Sequence, residues 1–535
     1  MTGLDAPVGI VGAGPIGLTA ALRLASHGVQ CVVLDADPDL VKQGSKACLI
    51  QGDALEILDK VGCAKTIAHE GVRWHIGHTY VRGKEIRRSE YPIPIGYGPF
   101  VNISQYRIEQ VLLDHAVAEP LIDIRWSHRV TGLAQDTGEV TVTAQTPSGN
   151  RQLRFGYLVA CDGVRSTLRE LVGVEWTGYS HKDLFLITDV KAKLPFTKER
   201  HFHYDPPFNP GRQLVIHPQP DDIWRIDWQL APGADIEAER RDGRLDRRIR
   251  DVIGAVPYEI DWLSTYRFHQ RVVDRLLVGR VLLAGDAAHA LPPYGSRGMN
   301  SGIQDADNLA WKLALVLSGV AMPELLDTYH LERHAAAEEN LRITEATIRF
   351  MVPPGPVRRW LRNFVLSVAV PVKGARRHVN SGRMAEPHVY ENSPIVQSRE
   401  HNPVLGSFAP DSMVRSGASL IRLRTLFGSG FVALRFAPDP AAATVFHAMA
   451  ATVPTSVPAR FLSIVPAASS DEPAVLCDVD GSVRAAFHAQ NGDWFLIRPD
   501  GHVAYTGNGD AAEIADAVTR AVRAVGKPAR QGVTR

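Results

Sequence analysis

The stretch GIVGAGPIGL, residues 9–18, admits few folds. Val8 to Val11 reads as a strand, Gly12 to Gly17 as a tight turn, and Leu18 to His27 as a helix. Cys31 to Leu34 reads as a second strand, with Asp35 at its end. This is the βαβ opening of a doubly wound parallel sheet. Gly12 permits the turn, Gly14 lets backbone approach a pyrophosphate, and Gly17 lets helix and strand close-pack. The helix start, with Pro15 and Ile16, offers amides and a positive dipole end to the phosphates. Asp35, followed by Ala36, is placed to accept from ribose hydroxyls, so a bound dinucleotide is expected. GSGFVA (428–433) has similar glycines but precedes a strand, so its amides do not converge and it reads as a loop.

At 535 residues the chain calls for two or three domains. A net charge of +1 without a long basic run argues against a nucleic-acid partner. The five cysteines are scattered with no Cys-x-x-Cys, against a disulfide framework, a zinc knuckle or a dithiol centre; no metal is expected. The N-terminal MTGLDAPVGI lacks a basic signal-like region. The long apolar run at 8–25 is broken by glycines and a proline, which favours a buried βα unit over a membrane span. A cytoplasmic protein with no membrane partner is expected, its assembly left open between monomer and homodimer.

YLVACDG (157–163) and RVLLAGD (280–286) read as strands ending in small-residue turns with an Asp, as ligand-facing strand ends should. From Trp176 to Tyr266 the texture changes to antiparallel sheet. In IWRIDWQL, Trp224, Ile226 and Trp228 face one side, and Arg225, Asp227 and Gln229 the other. IQDADNLAWKLALVL places Ala306, Leu309, Ala310, Leu313 and Leu317 on one helical face. Residues 384–410 look like a linker, and FVALRF, ARFLSIV, WFLIRPDGHVAY and an Ala-rich helix then form a small α/β unit.

GDAAHALPPYGSRGMNSG (285–302) is too long for a turn and too poor in periodic apolar residues for a regular element. Asp286 is positioned to accept from the hydroxyls of a ribityl chain, while Gly295, Gly298 and Gly302 clear side chains from a planar ring. Residues 298–301 start a helix, whose dipole stabilises the anion of a reduced flavin by ~1–2 kcal/mol. NAD has neither a ribityl chain nor such an anion, so the dinucleotide is read as FAD.

GIVGAGPIGL, CDGVRSTLRE and VLLAGDAAHALPPYGSRGMNSGIQDADNLAWKL together resemble the three fingerprints of the flavin-dependent aromatic hydroxylases, the class A flavoprotein monooxygenases. In layout the chain is most similar to the phenol and 3-(3-hydroxyphenyl)propionate hydroxylases and related polyketide hydroxylases. The resemblance implies a Rossmann-type α/β FAD-binding domain (1–175 and 265–395) interleaved with an antiparallel substrate domain (176–264). A thioredoxin-like α/β domain at 400–535 is implied by the RPDG strand-turn (498–501); without Cys-x-x-Cys it is expected to be redox-inactive. It further implies that Gly12, Gly14, Gly17 and Asp35 meet the ADP moiety, and that Asp162 and Gly163 lie near FAD and the passing nicotinamide. Gly285 and Asp286 fall at the ribityl chain, Pro292 and Pro293 beside the ring, and Gly298, Met299 and Asn300 at its pyrimidine end. Gln105 matches a flavin-contacting glutamine. Three positions depart from the pattern: Lys46 where an arginine usually meets the cofactor, Ser296–Arg297 for Gly-Gln, and His334–Ala335 for Arg-Pro.

The resemblance implies that NADH or NADPH binds transiently and reduces the flavin. O2 then gives a C4a-hydroperoxide that hydroxylates a small electron-rich aromatic substrate. Within the antiparallel section, His203, His217 and Asp227 are candidate bases, and Arg212 and Arg225 candidate anchors for substrate. Pro293 and Tyr294 are candidate pocket walls. Alternatives are a tailoring enzyme of the same fold acting on polyketide or heteroaromatic substrates and a non-catalytic carrier. Intact Asp162 and Asp286 speak against the carrier, and a halogenase's Trp-x-Trp-x-Ile-Pro is missing.

Overall fold

The computed structural model describes residues 6–40, 47–181, 184–231, 233–353, 355–379, 382, 384–398, 402–448, 453–466, 474–508 and 511–523. Lys46 therefore lies outside the described residues.

Strands Val8–Val11, Cys31–Leu34 and Tyr157–Ala160 are buried along their whole length, as strands covered on both faces must be. They belong to a six-stranded sheet in the order Leu277–Val278, Val281–Leu283, Tyr157–Ala160, Val8–Val11, Cys31–Leu34, Ile122–Arg125. All its pairings are parallel except the first. Val11 lies opposite Ala160, and Ala160 opposite Leu283. The chain thus leaves three neighbouring strands along one edge, at Gly12, Cys161 and Ala284. The first helix runs Pro15–Ser26, so the turn is shorter than expected: proline at the first helical position already has a helical φ.

A seven-stranded sheet carries the expected antiparallel texture, with strands in the order Glu259–Tyr266, Phe185–Lys191, Ile223–Gln229, Gln213–Pro218, Arg200–Tyr204, Ile76–Val81, Lys84–Glu90. The last two come from well inside the first segment, and Ile76–Val81 pairs parallel to Arg200–Tyr204. Trp176–Ser180 instead joins His269–Val273 and His289–Ala290 in a separate small sheet. The alternation of IWRIDWQL holds, but neither face is solvated. On the outer face Trp224, Ile226 and Trp228 pack with Leu245, Ile249 and Ile253 of the Arg244–Ile253 helix. The inner face packs Phe185, Phe202 and Tyr204 toward Tyr294, Ile348 and Met351.

The C-terminal sheet pairs Phe431–Phe436 parallel to Ala459–Val465 and antiparallel to Trp494–Ile497, which continues to Val503–Gly507. Within 384–410 the short strand Gln397–Ser398 adds to its edge. Buried charges bind this unit to the rest. The helix Arg297–Leu317 buries Ala306, Leu309, Ala310 and Leu313 of its expected apolar face, with Leu317 half-buried, but Asp305, Asp307, Asn308 and Lys312 are buried as well. Asp307 accepts from Arg23 Nε and Lys60 Nζ, both at 2.7 Å, and Lys60 also donates to the Pro499 carbonyl at 3.2 Å. Glu332, on the helix Asp327–Met351, accepts from Lys312 at 2.7 Å and from two Arg498 nitrogens at 2.6 and 2.8 Å. Arg498 also pairs with Asp500, which accepts from Trp311 Nε1 at 3.0 Å. The turn Arg498–Gly501 is thus a plug between two long helices, stable because every buried charge has its partner.

Candidate active site

The edge where the three strands end is built from glycines of two kinds. On some, a Cβ would collide with protein. At Gly12 (φ +105°) it would lie 2.4 Å from the Cys161 carbonyl oxygen, and at Gly17 it would lie 1.9 Å from that of Gly12. On Gly14 and Gly163 a Cβ would meet no protein atom within 4 Å, and on Gly298 only Asp286 Oδ1 at 4.0 Å. These backbones therefore border an open crevice. Ile16, in the first turn of the Pro15–Ser26 helix, joins its two ends. A Cβ on Gly285 would come within 2.9 Å of the Ile16 side chain, and one on Gly302 within 2.6 Å. The βαβ turn and the 285–302 segment, far apart in sequence, thus close on each other. The crevice has two helix N-termini, a carboxylate beside the second, and room where side chains are absent, which suits a dinucleotide carrying a ribityl chain.

The inner face of the seven-stranded sheet holds the titratable groups. Asp227 lies opposite Ile187 and Val215, and Arg225 opposite Asp189 and His217, so these side chains share that face. Arg225 donates Nε and Nη2 to the two Asp189 oxygens, each at 2.8 Å. Its Nη1 finds no acceptor among the described residues, nor does Asp227 Oδ1 find a donor. Burial pushes the Asp227 carboxyl up to about 7, against the pull of the Arg225 charge. Burial, helped by the charges of Arg200 and Arg225, drives the His217 imidazole well below its usual range and keeps it neutral. Cys48 is buried beside this cluster, its thiol pushed up to about 12 by burial.

The FAD binding domain family is matched over residues 5–344, and the HcaD C-terminal domain over 406–523. The chain belongs to the FAD binding domain family. A para-nitrophenol 4-monooxygenase from Pseudomonas sp. (strain WBC-3) is 31% identical over 344 residues, 62% of this chain and 83% of that protein. A 3-(3-hydroxy-phenyl)propionate/3-hydroxycinnamic acid hydroxylase from Escherichia coli O81 (strain ED1a) is 28% identical over 521 residues, covering 93% and 91%. The crystal structure of an aklavinone-11 hydroxylase in ternary complex with FAD and aklavinone matches with a TM-score of 0.78 at 25% identity, covering 98% of this chain and 99% of that one. The protein is a class A flavoprotein monooxygenase, an FAD-dependent aromatic hydroxylase.

In this flavoprotein several expected residues serve the scaffold. Gly302 lets its helix close on Ile16 rather than clearing a ring. The Asn300 side chain accepts from Gln51 N at 2.9 Å and donates to the Leu49 and Ser296 carbonyls, tying the helix start to the Leu49–Gln51 strand. Met299 is half-buried against the core. Asp162 accepts from Ser166 Oγ at 2.5 Å and Leu168 N at 3.0 Å, so its carboxylate holds the start of the Thr167–Val172 helix. Asp35 accepts from Ala13 N at 2.6 Å and Asp37 N at 2.9 Å, and Ala36 follows it half-buried at the same strand end. Gln105 accepts from Ala47 N at 3.2 Å. Pro292 is buried and Pro293 exposed, while the Tyr294 ring meets Phe268 and Phe185 edge-on. His289 pairs with Asp305 at 2.7 Å, which also accepts from Gly285 N and Arg333.

Two of the sheet candidates are misplaced. His203 lies opposite Leu214 on the outer face, stacked 4.4 Å from the Tyr80 ring. Alternation within a strand gives parity, not which face turns to the cofactor. Arg212 sits in the turn between Arg200–Tyr204 and Gln213–Pro218, its Nη1 on the Pro210 carbonyl at 3.2 Å. Asp189, Arg200 and Cys48 escaped notice, since nothing in their local sequence marks them as inward-facing. Among the described residues no group of His, Cys, Asp or Glu has a metal-binding arrangement.

Proposed function

We propose that the protein hydroxylates a phenolic ring lying between the crevice and the inner sheet face, with Asp227 as proton acceptor and Arg225 as anchor. The observation that carries this is the pair of unsatisfied polar atoms, Arg225 Nη1 and Asp227 Oδ1, on one sheet face two residues apart. Bound FAD, reduced by NADH or NADPH, supplies the oxygen activation and the electrophilic oxygen. Arg225, held rigid by Asp189, donates Nη1 to the substrate's ring oxygen and fixes its position. Asp227, with an affinity for protons near neutrality, takes the hydroxyl proton and so pushes electron density onto the ortho and para carbons. His217, neutral, serves as a hydrogen-bonding wall rather than a base. Tyr294 and Pro293 close the side toward the ring, and the Phe185–Phe202–Tyr204 cluster keeps out water.

In this reading Gly12, Gly14, Pro15, Ile16, Gly17, Asp35 and Ala36 take the ADP half of FAD, and Gln105 contacts the flavin half. Gly285, Asp286, Pro292, Gly298, Met299 and Asn300 take the flavin half, and Asp162 with Gly163 lies between. Residues 1–175 and 265–395 form the cofactor unit; the 76–90 hairpin joins 176–264 over the substrate. The C-terminal unit is a thioredoxin-like domain used for structure, supported by its parallel pair of strands followed by an antiparallel pair. The test is a panel of phenols scored for stimulated NAD(P)H oxidation together with hydroxylated product. Stimulation without product for every phenol would refute the substrate assignment. Turnover of polycyclic phenols alone would favour the tailoring role, which the aklavinone complex of a structural relative supports.

A further inference from the structure

The helix Pro356–Ala369 presents its apolar side outward. Val357, Trp360, Leu361 and Phe364, spaced i, i+3, i+4, i+7, are between 54% and 76% exposed, and the Trp360 and Phe364 rings stack at 5.8 Å. The opposite side carries Arg362, Leu366 and Ala369, with Leu366 and Ala369 packed beside Met351 and Ile348 and the Arg362 Nη1 on the Met351 carbonyl. Exposed Arg358 and Arg359 flank the aromatic pair, and exposed Val372 and Lys373 continue the surface beyond the helix. Between Glu345 and Glu386 the sequence contains basic residues and no acidic one, in a chain whose net charge is +1.

We propose that this helix docks the enzyme on the surface of an anionic phospholipid bilayer, lying in the interface with Trp360, Leu361 and Phe364 among the acyl boundary and Arg358, Arg359 and Lys373 on the headgroups. An apolar face bearing Trp and Phe and flanked by Arg358, Arg359 and Lys373 is the pattern of an interfacial helix. The charge disfavours a second copy as the occupant: a twofold interface uses the same patch on both sides, and this one offers no acidic side chain between Glu345 and Glu386 to meet its arginines. The patch is also one helical face, small against the ~20–30 residues a side of a stable protein interface. Among the described residues no helix is long and apolar enough to cross a membrane.

The test is flotation of the full-length, FAD-loaded protein with vesicles of phosphatidylcholine alone or mixed with phosphatidylglycerol. The wild type floats with the anionic vesicles, much less with the neutral ones, and is released by high salt. The double variants Trp360→Ser/Phe364→Ser and Arg358→Glu/Arg359→Glu each lower partitioning at least ~10-fold while melting at the wild-type temperature. The idea fails if the wild type does not float with anionic vesicles, or if both variants float as well as it does. It fails equally if sedimentation shows a dimer that Trp360→Ser/Phe364→Ser dissociates, for then a second copy covers the face.

Discussion

Replacing Asp227 by Asn separates a proton acceptor held back by burial from an inert buried acid. Burial raises the Asp227 carboxyl to about 7, whereas a free aspartate titrates near ~3.9. The folded chain holds this proton more tightly than the unfolded one. Its contribution to stability is therefore complete below about pH 4 and is lost progressively as pH rises through about 7. Between about pH 5 and about pH 8 the penalty for wild type grows by ~2 pH units of linkage, or ~3 kcal/mol at ~1.4 kcal/mol per unit. Asp227 is half-buried by surface area, and solvent screening reduces that figure to ~1–2 kcal/mol. A chain of 535 residues unfolding as one unit loses ~1 °C per kcal/mol. Asp227→Asn should thus melt ~1–2 °C higher relative to wild type at about pH 8 than at about pH 5, read by thermal melts of the FAD-loaded proteins. In the same pair, wild-type kcat/KM should rise with pH through about 7, and the variant should lose that rise and ~10²–10⁴-fold in rate with weakly acidic phenols. A nitrophenol, which ionises unaided, should be spared most of the loss. Equal melting differences at both pH values, or an unchanged pH profile in the variant, would refute the assignment.

Gly298→Val should fold and melt near wild type but retain FAD at least ~10-fold more weakly, because its side chain enters the crevice; absorbance at the flavin bands per protein checks it. Gly17→Val is the contrast: its Cβ would sit 1.9 Å from the Gly12 carbonyl oxygen, so soluble protein itself should be lost. Arg225→Lys cannot keep the two-pronged grip on Asp189, and kcat/KM should fall ~10-fold through KM with FAD content unchanged. Arg498→Met removes a partner from Glu332 and Asp500 and should cost ~3–5 kcal/mol, read as a drop of ~3–5 °C in the melt.

Where the determinants are local, the fold was legible from the residues. Val8–Val11 and Cys31–Leu34 lie where their apolar runs put them, because strand, turn and helix each carry their own mark within thirty residues. Phe431–Phe436 and Ala459–Val465 likewise coincide with FVALRF and ARFLSIV. What depended on distant pairing was not legible. The hairpin at 76–90 has nothing that announces it as the edge of a sheet begun near residue 185. The same blindness misplaced His203: its parity along the strand was clear, but which face meets Tyr294 is decided by a loop ninety residues on. Glycines told only that space was needed. Gly298 turned it toward the crevice and Gly302 toward Ile16, a distinction set by the angle at which two helices meet.

The plug at Arg498–Gly501 has an evolutionary corollary. Its two charges complete a balance whose other members, Lys312 and Glu332, sit in the core of the helices behind the cofactor crevice. A gene encoding the catalytic part alone would leave bare to water the apolar Trp311, Leu315 and Leu325, which beside that pair pack on Phe431, Trp494 and Leu496. Loss of the terminal unit must therefore be accompanied by replacement of those helix residues, and the two parts are bound to diverge together.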